Sequence, residues 1–148
     1  MTSVKMDGKE VTVSLDMLGG KATDSRGLKH YAGVTCGRMT GRMLNTFEAN
    51  GKTYELAQND GPNNIHGGKR GWDDYVWESN ILPSSMRLSD IVTLQPGQKD
   101  TLFKGVTFKR TSPDMEEGFP GTLEAKSTYL ISEDDKLVFF FEVEFAKG

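Results

Sequence analysis

Apolar and polar residues alternate along several short runs of this chain, and a period of two is typical of half-buried β-strands. The runs cover residues 10–16, 106–110, 123–131 and 137–145. A helical period of 3.6 residues is not sustained over any window of about eleven residues. Short strands separated by polar turns indicate an all-β sandwich or barrel of antiparallel hairpins, with little helix.

The dipeptide Asn50-Gly51 predicts the first hairpin. It lies between two strand-like runs and tolerates the positive φ angles of a type I′ turn, whose twist matches that of the flanking strands. With these two residues as the loop, Phe47 opposes Tyr54. Such an aromatic cross-strand pair would fix the register of the hairpin.

A second hairpin is predicted where residues 123–131 and 137–145 flank the polar residues 133–136. Five apolar side chains of the later run share one face of its strand: Leu137, Phe139, Phe141, Val143 and Phe145. Residues 80–105 instead mix short apolar runs with turn-forming residues. We interpret that stretch as an excursion or insertion.

Length and charge exclude several classes of protein. The 148 residues fit one domain, and the longest apolar run, residues 137–141, is far shorter than the roughly 18 residues of a membrane span. The first ten residues carry four charged side chains and no apolar signal segment, which predicts a cytoplasmic location. A single cysteine, Cys36, excludes an internal disulfide and a multi-cysteine metal site.

The net charge of −3 is unevenly divided. Bases outnumber acids by one in residues 1–74, and acids outnumber bases by four in the remainder. The clustered cations that a nucleic-acid binder needs are therefore not present.

Residues 57–71 contain four glycines, three asparagines and a histidine, and they predict a loop, either ordered or disordered. Trp72 and Trp77 follow at once, which favours a loop pinned onto a core. The glycines beside His66 would let the backbone approach a ligand, and its imidazole can donate or accept near neutral pH. A solitary loop histidine can equally be a surface residue.

Two pairs of charged residues each have two interpretations. Arg38 and Arg42 are four residues apart, so on a strand they share one face, and they form either a surface charge pair or the lining of a polar site. Glu116 and Glu117 could be a glycosidase pair, but adjacent side chains diverge on a strand or turn. A turn is the better account of the two glutamates.

Four segments of the sequence form a set. They are GVTCGRMTGR at 33–42, NGKTYEL at 50–56, NDGPNNIHGGKRGWD at 59–73 with Trp77 after it, and SPDMEEGFPG at 112–121. In this order they resemble the aldose 1-epimerases of the galactose mutarotase type. The resemblance covers most of residues 4–148 and lapses across about 80–105. We therefore expect one partial domain over residues 1–148, with an insertion there.

The resemblance implies part of a β-supersandwich of the galactose mutarotase type. It implies that a free aldose such as galactose or glucose binds in an open cleft, and that its α and β anomers interconvert without cofactor or metal. A general base removes the anomeric hydroxyl proton while a general acid protonates the ring oxygen. By position, Arg42 resembles the arginine that binds sugar hydroxyls. His66 resembles the histidine that binds near the ring oxygen and assists the reaction, and Arg38 resembles a structural arginine.

Several segments of that family have no counterpart in this sequence. The second histidine, taken as the acid, and the glutamate base would come after Lys147, and the opening strands would come before Val4. Gly41 stands where the family often has asparagine. We therefore expect a chain shortened at both ends, with little or no mutarotase activity alone. The alternative is a non-catalytic carbohydrate-binding or assembly module on the same scaffold.

Half of a supersandwich would leave strand edges and the apolar face of residues 137–145 uncovered. We therefore predict a homo-oligomer that forms through these exposed edges. The expected partners are a monosaccharide and further copies of the chain, with no nucleic acid and no membrane.

Overall fold

The computed structural model describes residues 31, 34–91, 93–133 and 136–146, together with the backbone of residues 2–6 and 9–13. Helix in this part of the chain is limited to two single 3-10 turns, Trp72–Asp74 and Leu88–Asp90. The prediction of an all-β chain with little helix is confirmed. No helix among these residues is long and apolar enough to cross a membrane.

The strands are numbered in chain order. They are β1 (Thr2–Met6), β2 (Lys9–Val13), β3 (Arg42–Leu44), β4 (Thr46–Ala49), β5 (Lys52–Glu55), β6 (Asn63–Ile65), β7 (Glu78–Ile81), β8 (Met86–Arg87), β9 (Leu102–Ser112), β10 (Leu123–Ser132) and β11 (Leu137–Phe145). The predicted strand at residues 10–16 thus begins as β2, and residues 14–16 lie outside the described residues.

The chain divides into two compact units. Met1–Val76 and Asp114–Pro120 form the first, and Trp77–Pro113 and Gly121–Gly148 form the second. A single partial domain with an insertion at about 80–105 stays a prediction.

In the first unit the described strands form three antiparallel pairs, β1 with β2, β3 with β6 and β4 with β5. The β4–β5 hairpin turns at Asn50 and Gly51, whose φ angles of 52° and 70° are the left-handed values that a type I′ turn requires. Phe47 lies opposite Tyr54, with 5.3 Å between the ring centroids. The predicted turn and register of this hairpin are confirmed.

In the second unit an antiparallel sheet has the strand order β11-β10-β9-β7, and β8 also pairs with β9. β10 and β11 pair from Leu123 opposite Phe145 to Ile131 opposite Leu137, which confirms the second predicted hairpin. β9 extends well before the alternating residues 106–110, because its earlier residues also pair with β10 and β8.

One face of this sheet carries the core of the second unit. Leu130 is fully buried and packs with the buried side chains of Phe103 and Leu88. Partly buried apolar side chains surround these three, namely Leu82, Ile91, Leu94, Val138 and Phe140. Half of this cluster comes from residues 82–94. The stretch interpreted as an excursion therefore contributes the end of β7, all of β8, the beginning of β9 and a large share of the core.

The opposite face is exposed along β11, which is an edge strand of the sheet. We call its five side chains the β11 apolar face: Leu137, Phe139, Phe141, Val143 and Phe145. Their exposed fractions run from 41% to 73%, and Ile131, opposite Leu137 on β10, is 44% exposed. The predicted apolar face is thus solvent-exposed in this chain.

Candidate functional site

The pairing of β3 with β6 brings the two predicted site residues together. Arg42 lies opposite Ile65, and His66 follows β6 directly. The backbone N–H of His66 donates to the carbonyl oxygen of Gly41 over 3.0 Å. In return, the N–H of Gly41 donates to Nδ1 of the imidazole over 3.1 Å. Arg42 and His66 are therefore neighbours on one small ladder, although the sequence separates them by a hairpin and a loop.

The hydrogen bond from Gly41 determines the tautomer of His66. Because Nδ1 accepts a hydrogen bond from the N–H of Gly41, the proton of the neutral ring lies on Nε2. Nε2 has no hydrogen-bond partner among the residues that the structure describes, and the side chain is half-buried. The ring of Tyr31 lies 4.3 Å from the imidazole, centroid to centroid, and limits its rotation. His66 can thus donate a hydrogen bond through Nε2 to a bound ligand.

Arg42 forms an ion pair with Asp60, in which Nε donates to the Asp60 carboxylate. Both side chains are accessible, with 57% of Arg42 and 36% of Asp60 exposed. The hydrogen bond, and secondarily the negative charge, of Asp60 raise the pKa of Arg42, so the guanidinium stays charged. Asp60 was not among the site residues predicted from the sequence. The sequence feature that could have indicated it is an acidic residue in the turn before β6, because β6 pairs with the strand that carries Arg42.

The asparagine-rich loop is ordered by its own side chains. Asn59 donates through Nδ2 to the carbonyl oxygens of Ile65 (2.9 Å) and Gly68 (2.7 Å). Its Oδ1 accepts the N–H of Ile65 over 2.9 Å. Asn64 is fully buried and donates to the carbonyl oxygen of Ala57 over 2.8 Å. Of the two predictions left open for this loop, the ordered one is confirmed, because side-chain amides satisfy its backbone groups.

Trp72 fixes the end of the loop. Its side chain is only 2% exposed, and a Cβ added to Gly37 would overlap its indole ring. Its backbone N–H donates to the carbonyl oxygen of Gly37 over 3.2 Å, and its Nε1 donates to Glu116 over 3.1 Å. The prediction that large apolar side chains pin this loop onto a core is confirmed for Trp72. Trp77, the second tryptophan of that prediction, is half-buried.

The two adjacent glutamates accept hydrogen bonds from different parts of the loop. Glu116 accepts from the Trp72 indole, and Glu117 accepts the backbone N–H of Lys69 over 2.8 Å. The turn interpretation is confirmed, because the two carboxylates do not face one another across a shared site. Arg38 also has structural contacts, since its Nη1 donates to the carbonyl oxygens of Phe119 (2.9 Å) and Pro120 (3.1 Å).

No metal-binding arrangement is visible among the described side chains. No cluster of three or more His, Cys, Asp or Glu residues that could hold an ion occurs among them. Cys36 is not part of a disulfide and is partly buried.

Comparison with known proteins identifies the family of this β-sheet protein. The family model for aldose 1-epimerase matches residues 1–147. The chain therefore belongs to the aldose 1-epimerase family, as the resemblance of its four segments indicated.

Individual relatives agree with this assignment. Galactose mutarotase from Sus scrofa is 37% identical over 112 residues, which are 74% of this chain and 27% of that protein. Maltose epimerase from Levilactobacillus brevis is 27% identical over 146 residues, which are 96% of this chain and 37% of that protein. The crystal structure of galactose 1-epimerase from Lactobacillus acidophilus matches with a TM-score of 0.59 and 25% identity, over 76% of this chain and 29% of that one.

Two facts follow from these matches. The expected fold, part of a β-sandwich of the galactose mutarotase type, is confirmed by the structural match and the strand content. The chain spans about a quarter of the length of the galactose mutarotases that it matches.

We expect Gly67→Ala to disrupt the loop that carries His66. Gly67 has a φ of 92°, and an added Cβ would overlap the carbonyl group of Gly37. Because that neighbour is backbone and cannot rotate away, the substitution should lower the free energy of unfolding by about 3 kcal/mol or more. Urea denaturation of the folded chain measures this loss.

Gly61→Ala is the matched control. Its φ of 58° is also left-handed, but nothing lies within 4 Å of the added Cβ. Only the conformational cost of about 1 kcal/mol is expected there. Equal losses for the two variants would contradict the role assigned to the contact between Gly67 and Gly37.

Proposed function

We propose that this chain forms part of the sugar site of an aldose 1-epimerase, an isomerase of carbohydrate metabolism that interconverts the α and β anomers of free aldoses such as galactose or glucose. The observation that carries the proposal is the juxtaposition of Arg42 and His66 by the β3–β6 ladder. Both residues resemble sugar-binding positions of the family to which the chain belongs. The relatives named galactose mutarotase and maltose epimerase support a sugar as the ligand.

The available donors suit a neutral polyhydroxylated ligand. Arg42 is exposed and offers N–H groups beyond the one that Asp60 accepts. His66 offers a single N–H at Nε2, held in direction by Gly41 and Tyr31. We assign Arg42 to hydroxyl groups of the sugar. His66 takes the position beside the ring oxygen, where an N–H assists opening by stabilising the negative charge that develops.

The reaction itself needs a proton acceptor and a proton donor. A base removes the proton of the anomeric hydroxyl, a carbonyl forms at the anomeric carbon, and the bond to the ring oxygen breaks as an acid protonates that oxygen. Rotation of the aldehyde and closure on its other face give the second anomer. His66 assists in this scheme, and the principal acid and base correspond to family segments that these 148 residues do not include. Each group contributes a factor of roughly 10²–10⁴, so the chain alone should be nearly inactive.

Binding is the direct test of the site. Titration of the chain with galactose in a calorimeter should show saturable binding, and Arg42→Ala should weaken it tenfold or more because hydrogen bonds from a charged donor are lost. His66→Ala should weaken it also. Lys52→Ala removes an exposed cation from β5 of the same unit and should leave binding unchanged. No binding at millimolar sugar would contradict the proposal and favour a purely structural or assembly role.

Polarimetry tests the catalytic expectation separately. The conversion of α-galactose should proceed at close to its spontaneous rate in the presence of the 148-residue chain, since the acid and base are needed for acceleration. Spontaneous conversion without protein supplies the reference rate. An acceleration that Arg42→Ala abolishes would show that this chain carries a complete catalytic set.

We also propose that copies of the chain associate through the β11 edge. The observation behind this is the β11 apolar face on an edge strand, because proteins normally cover such edges. Light scattering should show association that rises with concentration. The double substitution Val143→Lys and Phe145→Lys should abolish it, since pairing would bury charge. Ile81→Lys, on the exposed strand β7, is the control that should have no effect, and a wild-type monomer at high concentration would overturn the proposal.

A further inference from the structure

Asp60 is held in place by its own backbone. Its N–H donates to the carbonyl oxygen of Asn63 over 3.2 Å, and the N–H of Asn63 donates back to its carbonyl oxygen over 3.1 Å. Gly61, with a φ of 58°, makes the turn between them. Asn63 then begins β6 and lies opposite Leu44 on β3. The main chain of Asp60 is thus tied to the same ladder that carries Arg42.

The contact between the two side chains uses one particular edge of the guanidinium. Nε of Arg42 donates to the Asp60 carboxylate. Among the residues that the structure describes, neither terminal nitrogen of Arg42 has a hydrogen-bond partner. The two terminal nitrogens of a guanidinium carry N–H bonds that run parallel and match two neighbouring acceptor oxygens. Because Asp60 occupies Nε, the two terminal nitrogens of Arg42 remain available to donate to a pair of adjacent sugar hydroxyl groups.

The ion pair also sets the charge that a ligand meets. An arginine without a counter-ion attracts anions such as phosphate and carboxylate. Asp60 offsets that charge at the same position, so the pair presents hydrogen-bond donors with little net charge. A neutral sugar still gains hydrogen bonds from the donors of Arg42. An anionic sugar is attracted less strongly to Arg42, because Asp60 offsets its charge, and is repelled by the Asp60 carboxylate.

Building on the proposed function, we infer that Asp60 is a positioning and specificity-determining residue for Arg42. It orders the guanidinium before binding, so that less side-chain freedom is lost when the sugar arrives. It also favours neutral aldoses over their phosphorylated derivatives. Asp60 contacts Arg42 and is not itself assigned a contact to the sugar.

Two substitutions of Asp60 separate its effect on the orientation of Arg42 from the effect of its negative charge. Asp60→Ala removes both the acceptor and the charge. Asp60→Asn keeps one acceptor oxygen and the turn-forming character of the side chain, removes the charge and replaces the second oxygen with an NH2 donor. Calorimetric titrations of the full 148-residue chain would use galactose and galactose 6-phosphate as probes. Glu48→Gln, at an exposed acidic residue of β4, is the control for a general change in surface charge. Thermal unfolding establishes that each variant is folded.

We expect Asp60→Ala to weaken galactose binding about three- to tenfold, and Asp60→Asn to weaken it less than about twofold. Both variants should bind galactose 6-phosphate more tightly relative to galactose, by about threefold or more at low salt, and this gain should shrink as salt is added. Glu48→Gln should change neither quantity. A residue with only a structural role in the turn would alter the unfolding temperature without shifting the ratio of the affinities for galactose 6-phosphate and galactose.

The outcomes distinguish this inference from the proposed function. If Arg42→Ala abolishes galactose binding while both Asp60 variants retain wild-type affinity and preference, the positioning role is wrong and the proposed function stands. If the wild-type chain binds no galactose, the proposed function fails and this inference fails with it. Should Asp60→Ala not fold, the change in phosphate preference of Asp60→Asn decides the matter.

Discussion

The ladder between β3 and β6 is the constraint on which the rest of the candidate site depends. It is only three residue pairs long, yet it places Arg42 opposite the residue that precedes His66. The reciprocal hydrogen bonds between Gly41 and His66 extend it by one step, and one of them ends on the imidazole itself. A side chain that accepts a backbone N–H is restricted in ring orientation as well as in position. The ladder thus determines both where His66 lies and which of its nitrogens carries the proton.

Such a short ladder needs support, and the surrounding loop provides it through glycine and asparagine. Gly67 lies against the carbonyl group of Gly37, an approach that leaves no room for a Cβ. Asn59 satisfies one N–H and two carbonyl groups of the same loop. Trp72 then covers Gly37 with its indole ring. These contacts explain why an irregular segment can hold a fixed shape, since side-chain amides satisfy several of the polar backbone groups that it brings inward.

Local features of the structure could be predicted from sequence, and features that depend on strand pairing across long separations could not. The Asn50-Gly51 hairpin and its Phe47–Tyr54 pair follow from turn chemistry within a few residues. Arg42 and His66 were identified through family segments, but their adjacency required the β3–β6 register, which no local pattern determines. Asp60 was missed for the same reason.

The stretch 80–105 was likewise read as an excursion because its apolar residues follow no period. Those residues nevertheless enter the core of the second unit. Leu88 lies in a 3-10 turn, and the other core residues between 82 and 94 lie outside the strands, where no strand or helix period is expressed. Under the proposed function, ligand binding and proton transfer differ in how many parts of the fold must supply side chains. Two binding groups, Arg42 and His66, can come from one ladder, and the adjoining turn supplies Asp60 to position Arg42. An acid that acts on the ring oxygen and a base that acts on the anomeric hydroxyl must approach the sugar from different directions, which a ladder of three residue pairs does not provide. The sugar contacts can therefore be retained by a segment that lacks the acid and base, and variants of this chain should differ in galactose affinity while the mutarotation rate stays near its spontaneous value.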